Sequence, residues 1–343
     1  MPRLPLRRAA LVLTAATLCS GSVFAQTASS ATRPAAKPAA APAPLNWPTK
    51  PVRILVGFPG GSTPDLVARA IAEPLSKALG QPVIVDNKPG AGGNIAADMV
   101  AKATDEHTIG VLINGNMTIA RLLNPKTPYD PVKDLAPISL IGTAPLVLAV
   151  PANAPGTTAQ DFFVAARNAG DKWSYGTPGV GTVGHLGMEL LKTRSNINPV
   201  HVPYPGNPQV INAIMAGQIQ LSLLPPGLAA PQVRAGKLKV IGVTSAGRSP
   251  LAPEWPSLAD GGVSGFQLEI WTAAAAPASM PKPIVAKLSA TISEIVRTPE
   301  MRARLFQQGW QVAGTSSEGL ANRIKSDTNL LGGVIMMRGI KAE

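Results

Sequence analysis

The sequence predicts an α/β protein of two lobes, each a mainly parallel sheet flanked by helices, the two joined by crossing strands. Three observations carry this. From Val52 onward, β-branched apolar runs alternate with segments of helical period, the pattern of βαβ units. Extended runs at 137–150 and 267–276 are placed to carry the chain out to a second lobe and back. Between them the strand–helix alternation restarts.

Taken in order, 52–58 reads as a strand stopped by Pro59-Gly60-Gly61. Leu66, Val67, Ala70, Ile71 and Leu75 then recur at helical spacing. Thr63 suits the N-cap and Pro64 the first helical position. Pro74 inside that helix removes a ladder bond and predicts a kink. A strand at 83–86, a Gly-rich loop at 87–94, a helix at 95–103 and a strand at 108–113 follow, the last ending in Asn114-Gly115-Asn116. Pro145 breaks the first crossing run. Beyond it lie a helix at 159–168, strand 173–176, helix 182–193, strand 200–203, helix 209–216, strand 219–224, helix 229–235 and strand 238–244. After the return crossing come helices at 283–297, 300–308 and 318–331.

Ahead of this, Arg3, Arg7 and Arg8 precede an apolar run at 9–18 and Ser22-Val23-Phe24-Ala25, the three regions of a secretory signal cut after Ala25. The run is too short for a permanent anchor, and Leu18 before Cys19 argues against a lipoprotein site. Residues 26–46 are an Ala/Pro-rich tether that cannot build a core. Cys19 is the only cysteine, so the mature chain has no disulfide, thiol nucleophile or cysteine metal site. His107, His185 and His201 show no metal-ligand spacing, and no cofactor is expected. Net charge is +12, or +9 without the three leader arginines. The basic residues are spread and aromatics are only 4%, which disfavours a nucleic-acid surface and leaves small anions as the partner class.

Two glycine turns open helices and aim free N–H groups outward, where the dipole favours an anion. The first, Pro59 to Asp65, is either an anion trap or an ordinary βα turn. The second, Gly179-Val180-Gly181-Thr182-Val183-Gly184, satisfies G-x-G-x-x-G. The acidic residue a dinucleotide's ribose needs some twenty positions later is missing, Val200-His201-Val202-Pro203-Tyr204 standing there instead. No nucleophile elbow or triad pattern emerges, so an enzyme is not expected. Asp65 could orient a ligand or complement the helix dipole. Asn114 and Asn116 could face the cleft or simply form a turn. His185 could donate to a carboxylate or be a structural hydrogen-bonding residue. Trp271 reads as hinge packing, and Pro225-Pro226-Gly227 as a contribution of shape.

The blocks Trp47 to Arg53, Leu79 to Asn94, Tyr175 to His185, Val200 to Tyr204, Ala235 to Thr244, Arg248-Ser249-Pro250 and Trp271 to Pro281 resemble the substrate-binding receptors of tripartite tricarboxylate transporters, the Bug-type periplasmic proteins. The likeness covers essentially everything after the tether. It implies a Venus-flytrap fold, with lobe 1 formed by 47–145 and 269–343 and lobe 2 by 146–268. It implies a periplasmic, monomeric receptor for a small organic acid, delivered to a membrane permease or presented to a signalling partner. The carboxylate would be held by backbone N–H groups, short polar side chains and waters rather than by arginine. The substrate-binding residues expected from lobe 1 are Phe58, Gly61, Ser62, Asp65, Asn114 and Asn116. From lobe 2 they are Thr177, Gly179, Gly181, Thr182, His185 and Tyr204. The family loop runs Phe-Pro-x-Gly-Gly-x-x-Asp; here Ser62 replaces its second glycine, which narrows the pocket or adds a hydroxyl. Leu223-Leu224-Pro225-Pro226 is more apolar than the Asp- or Asn-bearing loop of many relatives, which disfavours an amino group on the ligand.

Overall fold

The computed structural model describes residues 45–340; the expected signal and tether lie outside them except for Leu45 and Asn46. The chain runs β1 (Val52–Val56), α1 (Thr63–Leu79), β2 (Val83–Asn87), α2 (Asn94–Ala101), β3 (Thr108–Ile113), α3 (Asn114–Thr118), α4 (Ala120–Leu123) and β4 (Leu135–Pro145). It continues through β5 (Val147–Pro151), α5 (Ala159–Ala169), β6 (Ser174–Thr177), α6 (Val183–Ser195), β7 (Val200–Pro203), α7 (Asn207–Met215), β8 (Ser222–Leu224), α8 (Pro226–Arg234) and β9 (Leu238–Val243). It ends with β10 (Glu269–Pro277), α9 (Lys282–Arg297), α10 (Pro299–Gln307), β11 (Gln311–Val312) and α11 (Ser317–Arg338).

The first sheet has the order β11-β4-β10-β3-β1-β2. β1 is parallel to both β2 and β3, whereas β10 is antiparallel to β3 and β4, and β11 to β4. Four of its six strands therefore point one way, and antiparallel pairing enters with the strands that come after the crossing. In the second lobe β5 lies antiparallel between β8 and β9, and β6 pairs parallel with β7. A parallel bridge from Tyr175 to Leu221 joins these two pieces. Ligands of open α/β sheets sit outside the carboxyl ends of such strands, and in both lobes those ends lead into glycine turns and helix starts.

The chain leaves the first sheet at Pro145 and enters the second at Val147. Buried Thr244 ties the crossing segments together. Its Oγ1 accepts from the Leu146 N–H at 2.8 Å and donates to the Leu268 carbonyl at 2.7 Å. Leu268 returns its N–H to the Thr244 carbonyl at 3.0 Å, one residue before β10 begins.

Helix α1 corrects one sequence expectation, the position of its cap. Its cap is Ser62, one residue earlier than expected, and Thr63 and Pro64 are its first two residues. It also runs through Pro74 as one helix. Proline deprives the carbonyl four residues back of its partner, and here Arg304 of α10 donates to that carbonyl, on Ala70, at 3.5 Å. Asn114-Gly115-Asn116 is the short helix α3 rather than a turn.

Candidate functional site

The two lobes are closed on one another through glycine-bearing turns. A Cβ on Gly115 would sit 2.5 Å from the Gly181 carbonyl oxygen, and one on Gly92 2.6 Å from that of Val180. Neither distance tolerates a side chain, so backbone packs on backbone across the cleft.

Behind these contacts lies a small, partly open cavity of about 50 Å³, room for a few water-sized groups. The polar residues Thr63, Asn114, Thr182 and Asn207 line it at the starts of α1, α3, α6 and α7. Leu146, Ile270 and Trp271 supply apolar wall from the crossing segments, with Trp310 beside them. No charged side chain lines it among the described residues.

Thr63 and Asn207 hold equivalent places. Each is the first residue of its helix, each is followed by proline, and each is buried. Asn207 Nδ2 donates across the cleft to Thr63 Oγ1 at 3.2 Å. Because a hydroxyl can donate as well as accept, the Asn207 amide can turn either its oxygen or its N–H groups to the cavity. Two polar atoms on the cavity wall have no hydrogen-bond partner, Asn207 Oδ1 and Thr272 Oγ1. Thr272 is fully buried. Orphaned buried polar atoms are costly, and a bound polar guest satisfies both. Ser62 Oγ, also buried, is unpartnered beside them; it caps α1 by position, without a side-chain hydrogen bond.

The helix starts give the cavity its sign. The first N–H groups of a helix have no partner within it and carry about half a positive charge. Closure sets the starts of α1 and α7 against each other with no acid lining the space between. The cavity therefore favours an anion.

The other expected residues are distributed as follows. Phe58, Asn114 and Thr182 line the cavity, and the Thr182 side chain caps α6 by accepting from the His185 N–H at 3.4 Å. Asp65 is tied to its loop, to α1 and to β2. It accepts from the Gly61 N–H at 2.9 Å, from Arg69 Nε at 3.0 Å and from Asn87 Nδ2 at 2.9 Å. Burial opposes its charge, but Arg69, Gly61 and Asn87 together hold its carboxyl below the ordinary value. Gly61 takes φ +77°, a conformation that favours glycine, with open space where a Cβ would stand. Asn116 spends its Nδ2 on the Gly92 carbonyl at 3.0 Å and on Asn94 at 2.8 Å. Asn116, Gly179, Gly181 and Tyr204 line a separate, larger hollow of about 520 Å³ that shares only Pro178 with this inner cavity. Thr177 and His185 stand behind the β6–α6 turn, hydrogen-bonded to it or to His201.

Sequence reasoning missed Thr63 as a wall residue, and missed Asn207 and Thr272 altogether. The start of α7 did carry a readable signal, since Gly206-Asn207-Pro208 repeats the small-residue, polar, proline pattern of Ser62-Thr63-Pro64.

Comparison with known proteins accords with this geometry. The family model described as tripartite tricarboxylate transporter family receptor matches residues 67–340. The chain belongs to this receptor family. A relative from Pseudomonas sp. (strain P51), the UPF0065 protein in the tcbD-tcbE intergenic region, is 36% identical to the receptor over 82% of this chain and 84% of its own length. Rpa4515 of R. palustris, solved with adipate, is 31% identical, with TM-score 0.83 over 86% of the receptor and 99% of its own chain. MatC of Rhodopseudomonas palustris, solved with bound malate, is 31% identical, with TM-score 0.80 over 84% of the receptor and 100% of its own chain. The family and these structures make the chain a receptor of periplasmic binding-protein architecture, and the two-lobed α/β fold expected from the sequence is the fold found.

Proposed function

We propose that this receptor captures a small organic acid in the periplasm, with a carboxylate end seated in the inner cavity, and delivers it to a tripartite tricarboxylate-type permease in the membrane. One observation carries the reading: the closed lobes bring the positive starts of α1 and α7 together around an uncharged cavity with two orphaned polar atoms. Closing an empty cavity opposes like dipole ends, whereas a carboxylate between them accepts N–H groups from both lobes. A ligand shifts a conformational equilibrium only through such differential contacts. The adipate and malate of the two relatives are acids of this kind.

In this reading lobe 1 comprises 47–145 and 269–343, lobe 2 comprises 146–268, and the segments tied by Thr244 are the hinge. Residues 1–25 are the export signal and 26–46 the tether, and the receptor acts as a monomer. The ligand-contacting set is Thr63, Asn114, Thr182, Asn207 and Thr272, with Ser62 and Phe58 beside them. No residue among these is a general base, so the ligand leaves chemically unchanged.

Mass spectrometry of small molecules released on denaturing the purified receptor, followed by calorimetry with malate and adipate, tests this. An intact acid bound at one site per chain is expected. Turnover of the acid, or preferential binding of cations or neutral sugars, overturns it.

A further inference from the structure

The inner cavity leaves unused a set of buried and half-buried titratable side chains behind the β6–α6 turn. His185 and His201 stack with ring centroids 4.3 Å apart and planes at 18°. Tyr175 also stacks on His201, at 4.9 Å. Both imidazoles hold the turn. The Gly181 N–H donates to His185 Nδ1 at 3.3 Å. His201 Nε2 is hydrogen-bonded to Thr177 Oγ1 at 2.7 Å, and that hydroxyl accepts the Gly179 N–H at 3.3 Å. Thr182, which lines the inner cavity, is tied to the same turn by its Oγ1, which donates to the Gly179 carbonyl at 2.8 Å.

We propose that His185 and His201, as neutral imidazoles, are positioning residues for the turn 178–182, and that protonating them loosens it and weakens ligand binding. The inference rests on the reading of the inner cavity as the ligand site. A proton on His185 Nδ1 points at the Gly181 N–H, so the acceptor becomes a second donor. Protonating both rings places like charges in stacking contact. The groups facing the pair are few. From α6 come Glu189 and Lys192, paired at 2.9 Å; from β6 comes Tyr175, whose hydroxyl donates to Glu189 Oε1 at 2.6 Å; β7 supplies His201 itself. The Glu189 carboxylate favours the protonated rings and Lys192 disfavours them, and burial outweighs the pull of Glu189. Burial pushes both imidazoles below the ordinary histidine value, and the neighbouring His185 adds to the effect on His201, which falls to about 4. The pair is therefore neutral at pH 7. Binding that needs the neutral pair takes up no proton at pH 7 and expels protons in acid, so affinity falls as pH drops from about 6.5 towards 4.

Two measurements on the purified receptor test this. In the ligand-free protein, the Gly181 amide shift in a ¹⁵N-correlated spectrum is expected to titrate with His185, and to lose that titration in His185→Gln. Calorimetry with malate and adipate at pH 7.5 and 4.5 is expected to show affinity at least about tenfold weaker in acid. In the His185→Gln/His201→Gln double variant the loss shrinks to what each acid's own ionisation imposes. A Gly181 amide indifferent to His185 titration, or equal acid losses in wild type and double variant, overturns the proposal. Failure of both acids to bind at pH 7.5 counts against the receptor reading instead, and the amide titration then decides the role of the pair.

Discussion

Thr63 and Asn207 open their helices at equivalent positions and meet across the cleft, and Thr272 waits behind them with an unpaired hydroxyl. These side chains separate binding from folding. Replacing an unpaired buried hydroxyl by a methyl of the same shape is nearly neutral or stabilising. Thr272→Val should leave the melting temperature of the empty receptor unchanged or slightly higher, yet weaken ligand affinity about 5- to 30-fold, the equivalent of about 1–2 kcal/mol. Asn207→Ala should cost affinity by a similar factor because it also removes the cross-cleft bond. Calorimetry beside thermal melts of the empty protein checks both. Asp65 behaves in the opposite way, since its four acceptor contacts, to Gly61, Arg69 and Asn87, all lie on its own side of the cleft. Its carboxyl is held below the ordinary 3.8, so its stabilisation is complete above that pH and is lost as pH falls through the lower, folded-state value. Asp65→Asn should lower stability at pH 7 by about 1–3 kcal/mol and flatten this acid-side loss, which denaturant melts at pH 7 and pH 3 would reveal.

Helix α1 shows how far a local rule carries. Its apolar spacing was readable, and the structure buries Val67, Ala70, Ile71 and Leu75 as that spacing requires. The effect of Pro74 was not readable, because the Ala70 carbonyl is answered by Arg304, more than two hundred residues away. The arginine contact is long, so much of the proline's cost remains. Pro74→Ala should raise stability by about 1–2 kcal/mol, less than the full helical penalty of about 3 kcal/mol because proline also restricts the unfolded chain. A higher urea midpoint with an unchanged slope would show it. The strand–helix alternation was legible throughout because each element carries its own period. β11 was not, since a two-residue strand exists only through its pairing with β4. The helix α3 was missed for a related reason: Asn-Gly-Asn reads as a turn, and only burial of all five residues makes it helical. Of the expected contact residues, Thr182 and Asn114 follow from position at a strand end or helix start. His185 and Asp65 sit at such positions too, but their side chains bind neighbouring backbone, a choice that depends on packing.

At the scale of the whole receptor, closure depends on missing side chains. Gly115 has no positive φ, so alanine fits its helix, and the only obstacle is the Gly181 carbonyl of the other lobe. Gly115→Ala should therefore leave each lobe intact, weaken affinity at least about tenfold by penalising closure, and keep the radius of gyration large at saturating ligand. Small-angle scattering with and without ligand distinguishes this from simple destabilisation. Helix α11 bears on the same equilibrium. Near its start it buries Leu320 and Ile324 in the core of the first sheet, and near its end Leu331 and Ile335 in the core of the second lobe. A 22-residue helix is a stiff rod about 33 Å long. Parting the lobes must either flex that rod or peel its final turns away. A helix anchored in both cores resists their parting like a leaf spring, so substitutions along it, far from any ligand contact, are expected to shift how far the lobes open.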